Sequence, residues 1–430
     1  MVDSAARFSA MARIPSDHIL SISLRDSNEV AVRLNEAKAN HEGLILRRVV
    51  FNSSTCNALW KALKFRQDLN KPWKKVELRN VNGDVAAAMS VCTSLDAIEE
   101  FQLVVNNTEI GFGGWFALSV GMQVNCNLSC LRITTVLNAA GMSSLANGLK
   151  KSCSSLRTLD FSWSTLDEDD AVLELAMGLS ANKTLHELHF MGCSLRDARA
   201  AQLVESLCNH PCLRVLDLNG NKAASCTSRA LGLLLKSNQS LKKVDISFQT
   251  NNERMNISLL AESLRQNTSL KTLDLSNCQL DDADIEILGH LLCETNSLEE
   301  LFIARNKISD EGIRSLAGSL AEMKGLKRLS IWGNPFGDEG AKALSLGLER
   351  NVELEEVDLV RTFPCTEMIT HYLQLNKAGR RLMHAPGVPL GLWPLILERV
   401  GKLSYPNGSK FTARDLQFYM LRGPVLLHNG

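Results

Sequence analysis

The sequence predicts an α/β solenoid, a horseshoe with parallel strands on its concave wall, helices on its convex wall and a small helical cap at the C-terminal end. Three observations predict it. The motif L-x-x-L-x-L returns at steps of 28 or 29 residues from 156 to 362. Inside each copy the apolar period changes from two to nearly four. The composition, 45% hydrophobic and 22% charged over 430 residues, is that of a chain with a folded interior.

The regular copies read LRTLDFSWSTL at 156, LHELHFMGCSL at 185, LRVLDLNGNKA at 213 and LKKVDISFQTN at 241, then LKTLDLSNCQL at 270, LEELFIARNKI at 298, LKRLSIWGNPF at 326 and LEEVDLVRTFP at 354. Degenerate copies precede them: ILSISLRDSNE at 19, LRRVVFNSSTC at 46, WKKVELRNVNG at 73, IEEFQLVVNNT at 98 and LSCLRITTVLN at 128, making thirteen units. The L-x-L end of each motif alternates like a half-buried strand. The residues that follow, such as SDEGIRSLAGSLAEMKG and GDEGAKALSLGLERN, place Ile313, Leu316, Ala317 and Leu320, then Ala341, Ala343, Leu344 and Leu348, near helical spacing. Asp310, Glu311, Asp338 and Glu339 open these helices, where the macrodipole favours acids.

One short strand and one helix cannot bury a core alone, so the units must stack. A helix needs roughly 10 Å beside its neighbour and a strand about 4.8 Å, which bends the array with strands inside. The pattern resembles the leucine-rich repeat, and its length with a helical second half resembles the ribonuclease-inhibitor-like subtype. The resemblance implies a protein-binding surface on the concave wall.

Taking the first leucine as position one, the ninth position carries Cys193, Asn221, Cys278, Asn306 and Asn334. An amide or thiol there is expected to form a structural turn ladder, bonding backbone groups that the strand leaves unpaired. The Asn before each new unit, as in SANKTL, KSNQSL and RQNTSL, reads as a turn residue. Positions three, five, seven and eight are expected to face outward. The Asp repeated at position five belongs to the motif. Departures from it mark the candidate partner-binding residues: Trp163, His189, Met191 and Phe248 in the middle, and Phe302, Arg305, Arg328, Trp332 and Arg361 across the last three units. Exposed aromatics beside arginines compose binding hot spots, whereas a solvated sheet favours Ser, Thr and Asn.

Four segments follow from these boundaries: an N-terminal leader (1–17), degenerate repeats (18–155), regular repeats (156–362) and a C-terminal cap or docking module (363–430). The last holds all three tyrosines and six of the ten prolines. From 364 onward it carries eight basic and three acidic residues, against a net −6 over 14–362. TEMITHYLQLNKAGRRLM reads as a helix ending near Arg381 to Met383, WPLILERV as a second, and a third begins at Thr412 with capping-box spacing. Leu392, Trp393, Ile396 and Leu397 would form the core of this cap.

No P-loop, HExxH, G-x-S-x-G or paired CxxC motif is present, so no enzyme and no cofactor is expected. GFGGW at 111 to 115 lacks dinucleotide-binding spacing and reads as flexible turn glycines. His186 and His189 lie on a strand, where residues three apart face opposite sides, and Cys208-Asn-His-Pro-Cys212 falls at a helix end, so no metal is expected at either. The acidic runs at 167–170 and 281–284 read as helix starts.

Forty-seven basic and 47 acidic residues cancel, which points away from nucleic acid and anionic membranes. The apolar run PLGLWPLIL is too short to span a bilayer, there is no secretory h-region, and the cysteines lack framework spacing. A monomer with a cytoplasmic or nuclear address is expected. The function expected is a non-catalytic scaffold that presents a curved wall to a protein partner. Two alternatives come from the resemblance: a regulator of a small GTPase, although that branch carries an acidic tail and this tail is basic, and a ubiquitin-ligase adaptor using the C-terminal module as recruiter.

Overall fold

The computed structural model describes residues 14–15, 18–23, 26–34, 41–94, 97–105, 110–151, 155–166, 169–249, 254–359, 361–377 and 379–380. The chain forms two compact units, one of residues 1–195 with 209–217 and one of 196–208 with 218–430.

In the first unit, strands β1 (Ile19–Ile22), β2 (Gly43–Arg47), β4 (Lys75–Arg79), β6 (Glu100–Val104), β7 (Cys130–Thr134), β8 (Thr158–Asp160), β9 (Glu187–His189) and β10 (Val215–Asp217) pair in parallel in that order. A side ribbon joins β3 (Val50–Phe51) to β5 (Asn82–Gly83). Helices α1 (Ser27–Leu34), α2 (Ser53–Asp68), α3 (Val85–Ser94), α4 (Phe112–Val124), α5 (Ala139–Lys150) and α6 (Asp169–Ala181) follow successive strands. The second unit repeats the plan with a parallel sheet of β11 (Lys243–Asp245), β12 (Thr272–Asp274), β13 (Glu300–Phe302), β14 (Arg328–Ser330) and β15 (Glu356–Asp358). Its helices are α7 (Asp197–Glu205), α8 (Ser225–Ser237), α9 (Ile257–Leu264), α10 (Asp282–Glu294), α11 (Asp310–Ser319), α12 (Asp338–Arg350) and α13 (Thr366–Lys377). The α/β solenoid expected from the period is therefore present in each unit.

The core is the row of motif leucines. Leu159, Leu188 and Leu216 in the first unit, and Val244, Leu273, Leu301 and Leu329 in the second, sit in register on adjacent strands and are at most 1% exposed. The same register reaches Leu131, Phe101 and Val76. It then departs from the spacing read for the first two copies: Val76 pairs with Leu44 and not Val49, and Leu44 pairs with Leu20 and not Ile22. The reason is local. GLILR and ILSI carry apolar residues at consecutive positions, so a period of two does not fix their register.

The helix openings are also built differently from a simple dipole effect. Asp310 Oδ1 accepts from Gly337 N at 2.7 Å and Gly340 N at 2.8 Å, so the acid that opens α11 caps α12 of the next repeat. Asp282 accepts from Ser309 N at 2.8 Å, and Asp197 from the N–H groups of Ala224, Cys226 and Thr227. Burial opposes charge on Asp197, yet these donors hold its carboxyl below the usual range. Asp281 caps α10 itself, with a reciprocal capping box to Asp284.

One expectation for the helices changes. GFGGW is not a turn: Gly111 precedes α4 and Phe112 to Trp115 form its first turn. Gly114 is required there because a β-carbon would stand 2.9 Å from Ile110 Cγ2 and 3.2 Å from Met89 Sδ. Helix α13 runs to Lys377 and Gly379 has φ of 98°, the left-handed conformation that glycine favours, while the end expected near Arg381 to Met383 lies outside the described residues. Ile369, Tyr372 and Leu375 of α13 are buried, Phe363 stacks on Phe336 at 5.3 Å, and Asn376 Nδ2 donates to Asn351 O and Leu354 O. The leader up to residue 13, the helices expected around WPLILERV and Thr412, and Leu392, Trp393, Ile396 and Leu397 lie outside the described residues.

Candidate sheet-face binding site

The turn after each strand positions the outward side chains. At position five, Asp160, Asp245 and Asp274 accept from the N–H two residues on, at 2.9, 3.0 and 2.9 Å. The repeated Asp thus ends the strand with an Asx turn instead of offering a free carboxylate, and Asp217 and Asp245 are 2% exposed.

At position nine, Asn306 Nδ2 donates to Leu275 O, Ile303 O and Ala304 O, while its Oδ1 accepts from Cys278 N and Leu280 N. Asn334 and Asn221 donate in the same way to Ile331 O and Leu218 O. Cys193 and Cys278 place Sγ 3.1 Å from Phe161 O and Ile246 O. Burial pushes both thiols well above their ordinary pKa. Two members escaped the sequence reading although the register pointed to them. Ser164 donates to Ile133 O at 2.7 Å, and Gln249 donates to Ile246 O at 2.8 Å.

Position eight is the unusual one. Its N–H donates across to the next repeat, as in Trp163 to Met191 O, Phe248 to Ser276 O and Arg305 to Trp332 O. That geometry is left-handed: Gly192, Gly220 and Gly333 have φ of 66°, 69° and 75°, and Asn277 has 53°. Trp163, Phe248 and Arg305 adopt the same conformation at 66°, 57° and 55°. A side chain with a β-carbon pays about 1 kcal/mol there.

In the second unit, the structure brings Phe248, Arg305 and Trp332 together from three repeats. The Arg305 guanidinium lies 4.4 Å from the Trp332 ring centroid and 5.9 Å from that of Phe248. Arg361 lies over Phe363 at 5.5 Å, and a slot of about 130 Å³ runs between Trp332, Pro335, Phe336, Arg361 and Phe363. Phe302 is half-buried on β13. Arg328 is different, because Glu300 Oε1 at 2.7 Å and Glu356 Oε2 at 2.9 Å clamp it from the two adjacent strands.

The first unit gathers Trp163, His189 and Met191 around a depression of about 220 Å³, with Arg132, Asp160 and Glu187 in its wall. Trp163 is 62% exposed and lies over Gly192, where a β-carbon would meet the indole at 2.7 Å. His189 is only 7% exposed, with Nδ1 3.4 Å from Asp217 Oδ2 and Nε2 3.6 Å from Glu187 Oε2. Burial works against its proton, but the two carboxylates outweigh burial and raise its pKa to about 9.

The histidines and cysteines of the other motifs have local partners. His186 Nδ1 lies 2.8 Å from Thr184 O. His210 occupies the turn slot that Asn fills elsewhere: its Nδ1 accepts from Leu213 N at 3.1 Å, as Asn182, Asn238 and Asn267 accept through Oδ1. Among the described residues no group of three His, Cys, Asp or Glu could hold a metal, and no helix is long and apolar enough to cross a membrane.

Comparison with known proteins adds the family. A family model described as Leucine Rich repeat matches residues 266–288, 296–317 and 326–345. The chain is 28% identical over 246 residues, 56% of its length, to the human NACHT, LRR and PYD domains-containing protein 12, and spans 22% of that relative. Among solved structures, an internalin from Listeria monocytogenes aligns over 79% of this chain and 78% of its own at 14% identity and a TM-score of 0.46. A tropomodulin C-terminal domain from Caenorhabditis elegans aligns over 36% of this chain and 97% of its own at 20% identity and 0.32. The register of the motif leucines, the turn ladder and the family match together show that this chain carries leucine-rich repeats.

Proposed function

We propose that the chain is a non-catalytic protein-binding scaffold of the ribonuclease-inhibitor-like subtype, and that its sheet face takes a protein partner. The main contact set is Phe248, Phe302, Arg305, Trp332 and Arg361 in the second unit, with Trp163, His189 and Met191 as a lesser set in the first. The observation that carries this reading is the left-handed eighth position. Glycine or asparagine fills it without strain at four repeats, yet Trp163, Phe248 and Arg305 hold large side chains there. Such residues weaken the fold and serve something outside it. Arg305, stacked against Phe248 and Trp332, is already ordered, so a partner's carboxylate or carbonyl would meet it at little entropic cost. Arg328, held between two glutamates, serves the wall by keeping three strands in charge balance.

The test is Arg305→Gly. The substitution relieves the backbone and removes the guanidinium, so the melting temperature should hold or rise while capture falls. Proximity labelling from the wild-type chain and from Arg305→Gly, in the native cell, reads capture directly. Loss of prey with an unchanged or higher melting temperature supports the proposal; an unchanged prey set overturns it.

A further inference from the structure

We infer that the outer face of helices α3 to α6 is the contact through which two copies of this chain form a dimer. Helix α4, FGGWFALSVGMQV, carries no charge, and its polar side chains are Ser119 and Gln123 alone. Trp115, Leu118 and Met122 turn inward and are at most 2% exposed. On the opposite side Phe112, Phe116, Val120 and Val124, four residues apart each time, form one stripe along the whole helix and are 69%, 57%, 40% and 56% exposed. The rings of Phe112 and Phe116 stack at 6.1 Å. A helix apolar on both sides is normally enclosed on both.

The neighbours extend the patch. Ala87 and Val91 are half-buried on α3, Ala139 and Ala140 are exposed on α5, and Leu173 and Met177 are 50% and 41% exposed on α6. Helices α3 and α4 contain no Asp, Glu, Lys or Arg, and the first in α5 is its last residue, Lys150. Other helices of the chain behave ordinarily: α11 exposes Glu311 and Arg314, and α12 exposes Glu339, Lys342 and Glu349. The helices of the patch also sit close together. A β-carbon at Gly121 would stand 2.2 Å from Thr93 Cβ, one at Gly141 2.8 Å from the Trp115 ring, and one at Gly178 2.6 Å from Ala146 Cα.

The occupant follows from charge and area. The α3 to α5 part of the face carries no charge before Lys150, the acids Asp169, Asp170 and Glu174 being confined to α6, so that part meets its own copy without repulsion and without stripping water from an unpaired charge. Its 13-residue central helix is about 20 Å long at 1.5 Å per residue. Four helices at the close end of the packing range, about 8 to 9 Å apart, span about 35 Å. The product, about 700 Å² on each copy, is near the roughly 800 Å² per partner of a stable interface. A two-fold axis through α4 would set the stripe of one copy on that of the other. The proposal replaces the monomer expected from sequence, and it uses none of the residues proposed above for the partner.

The test uses the full chain in sedimentation velocity across a micromolar concentration series. The wild type should be a dimer that dissociates on dilution. Phe116→Glu should weaken the dimer by about 30-fold or more, as a charge buried at a hot spot does, with an unchanged circular dichroism spectrum. Leu346→Glu, at a residue 59% exposed on α12, is the control and should leave the dimer intact. A wild type that is monomeric throughout, including one that instead sediments with anionic vesicles, overturns the inference. So does a dimer that survives Phe116→Glu.

Discussion

Replacing Asn306 by alanine tests the turn ladder where its atoms are most fully used. Asn306 is 6% exposed and serves five backbone groups. Its amide nitrogen lies 3.1, 2.9 and 3.3 Å from the carbonyls of Leu275, Ile303 and Ala304. Its carbonyl oxygen lies 2.9 and 3.1 Å from the N–H groups of Cys278 and Leu280. Alanine strands both buried N–H groups, and at about 1 to 3 kcal/mol for each unsatisfied donor the loss is about 3 kcal/mol. Cysteine should be milder. Cys278 and Cys193 fill the same slot with a thiol 3.1 Å from a carbonyl, so Asn306→Cys keeps one donor and should recover about 1 kcal/mol. Urea unfolding gives the global cost, and hydrogen exchange of a peptide covering 275–283 reports whether the amides of Cys278 and Leu280 lose protection first. A loss below about 0.5 kcal/mol for Asn306→Ala, the scatter of ordinary surface substitutions, would refute the reasoning. A cysteine variant no better than alanine would refute the equivalence of thiol and amide in the ladder.

Further predictions concern titration, packing and thiol chemistry. His189, raised to about 9 by Asp217 and Glu187 against burial, is protonated in the folded chain at neutral pH. Its contribution is therefore fully present below its unfolded pKa of about 6.5 and lost as pH rises through about 9, so the melting-temperature gap between wild type and His189→Gln should close toward alkaline pH. His210 has the opposite sign: burial, then the positive charge of Lys183, pushes it down to about 4. Its stabilisation is present above the unfolded value and lost as pH falls toward about 4, and His210→Asn should remove that acid loss while keeping the turn. Gly121→Ala should cost about 1 to 3 kcal/mol by overpacking against Thr93, and adding Thr93→Ala should return part of it. Alkylation of the native protein followed by mass mapping should label exposed Cys126 and Cys226 first, and leave buried Cys92, Cys193 and Cys278 unmodified until unfolding.

How much of the site was legible varied with the distance over which it forms. The ninth-position ladder was readable because a repeated Asn or Cys bonds a carbonyl two or three residues back in its own turn, and the bonds it adds to the preceding repeat, such as Cys193 Sγ to Phe161 O, recur at the same position. Ser164 and Gln249 follow the same register but break the residue type, so residue type alone does not mark them. Residue type puts the arginines in one class, yet Arg305 stacks on rings while Arg328 is paired with Glu300 and Glu356. That difference depends on the residues one repeat to either side. His189 stands at an outward position of the motif, and its burial comes from Asp217 and the residues around it.

By itself the sequence determined the strand-and-helix unit, its spacing, the apolar row inside and the residue types of the turns, because each rests on periodicity and on side chains that recur at one position of the repeat. Only the tertiary structure decided the register of Leu20 and Leu44, the meeting of Phe248, Arg305 and Trp332, and the exposure of Phe112 and Phe116 on a helix whose composition suits a core. Those outcomes depend on which side chain stands beside which after stacking. A parallel strand pair or a helix pair brings together residues about one repeat apart, and the surface left over is whatever the neighbours on both sides do not cover.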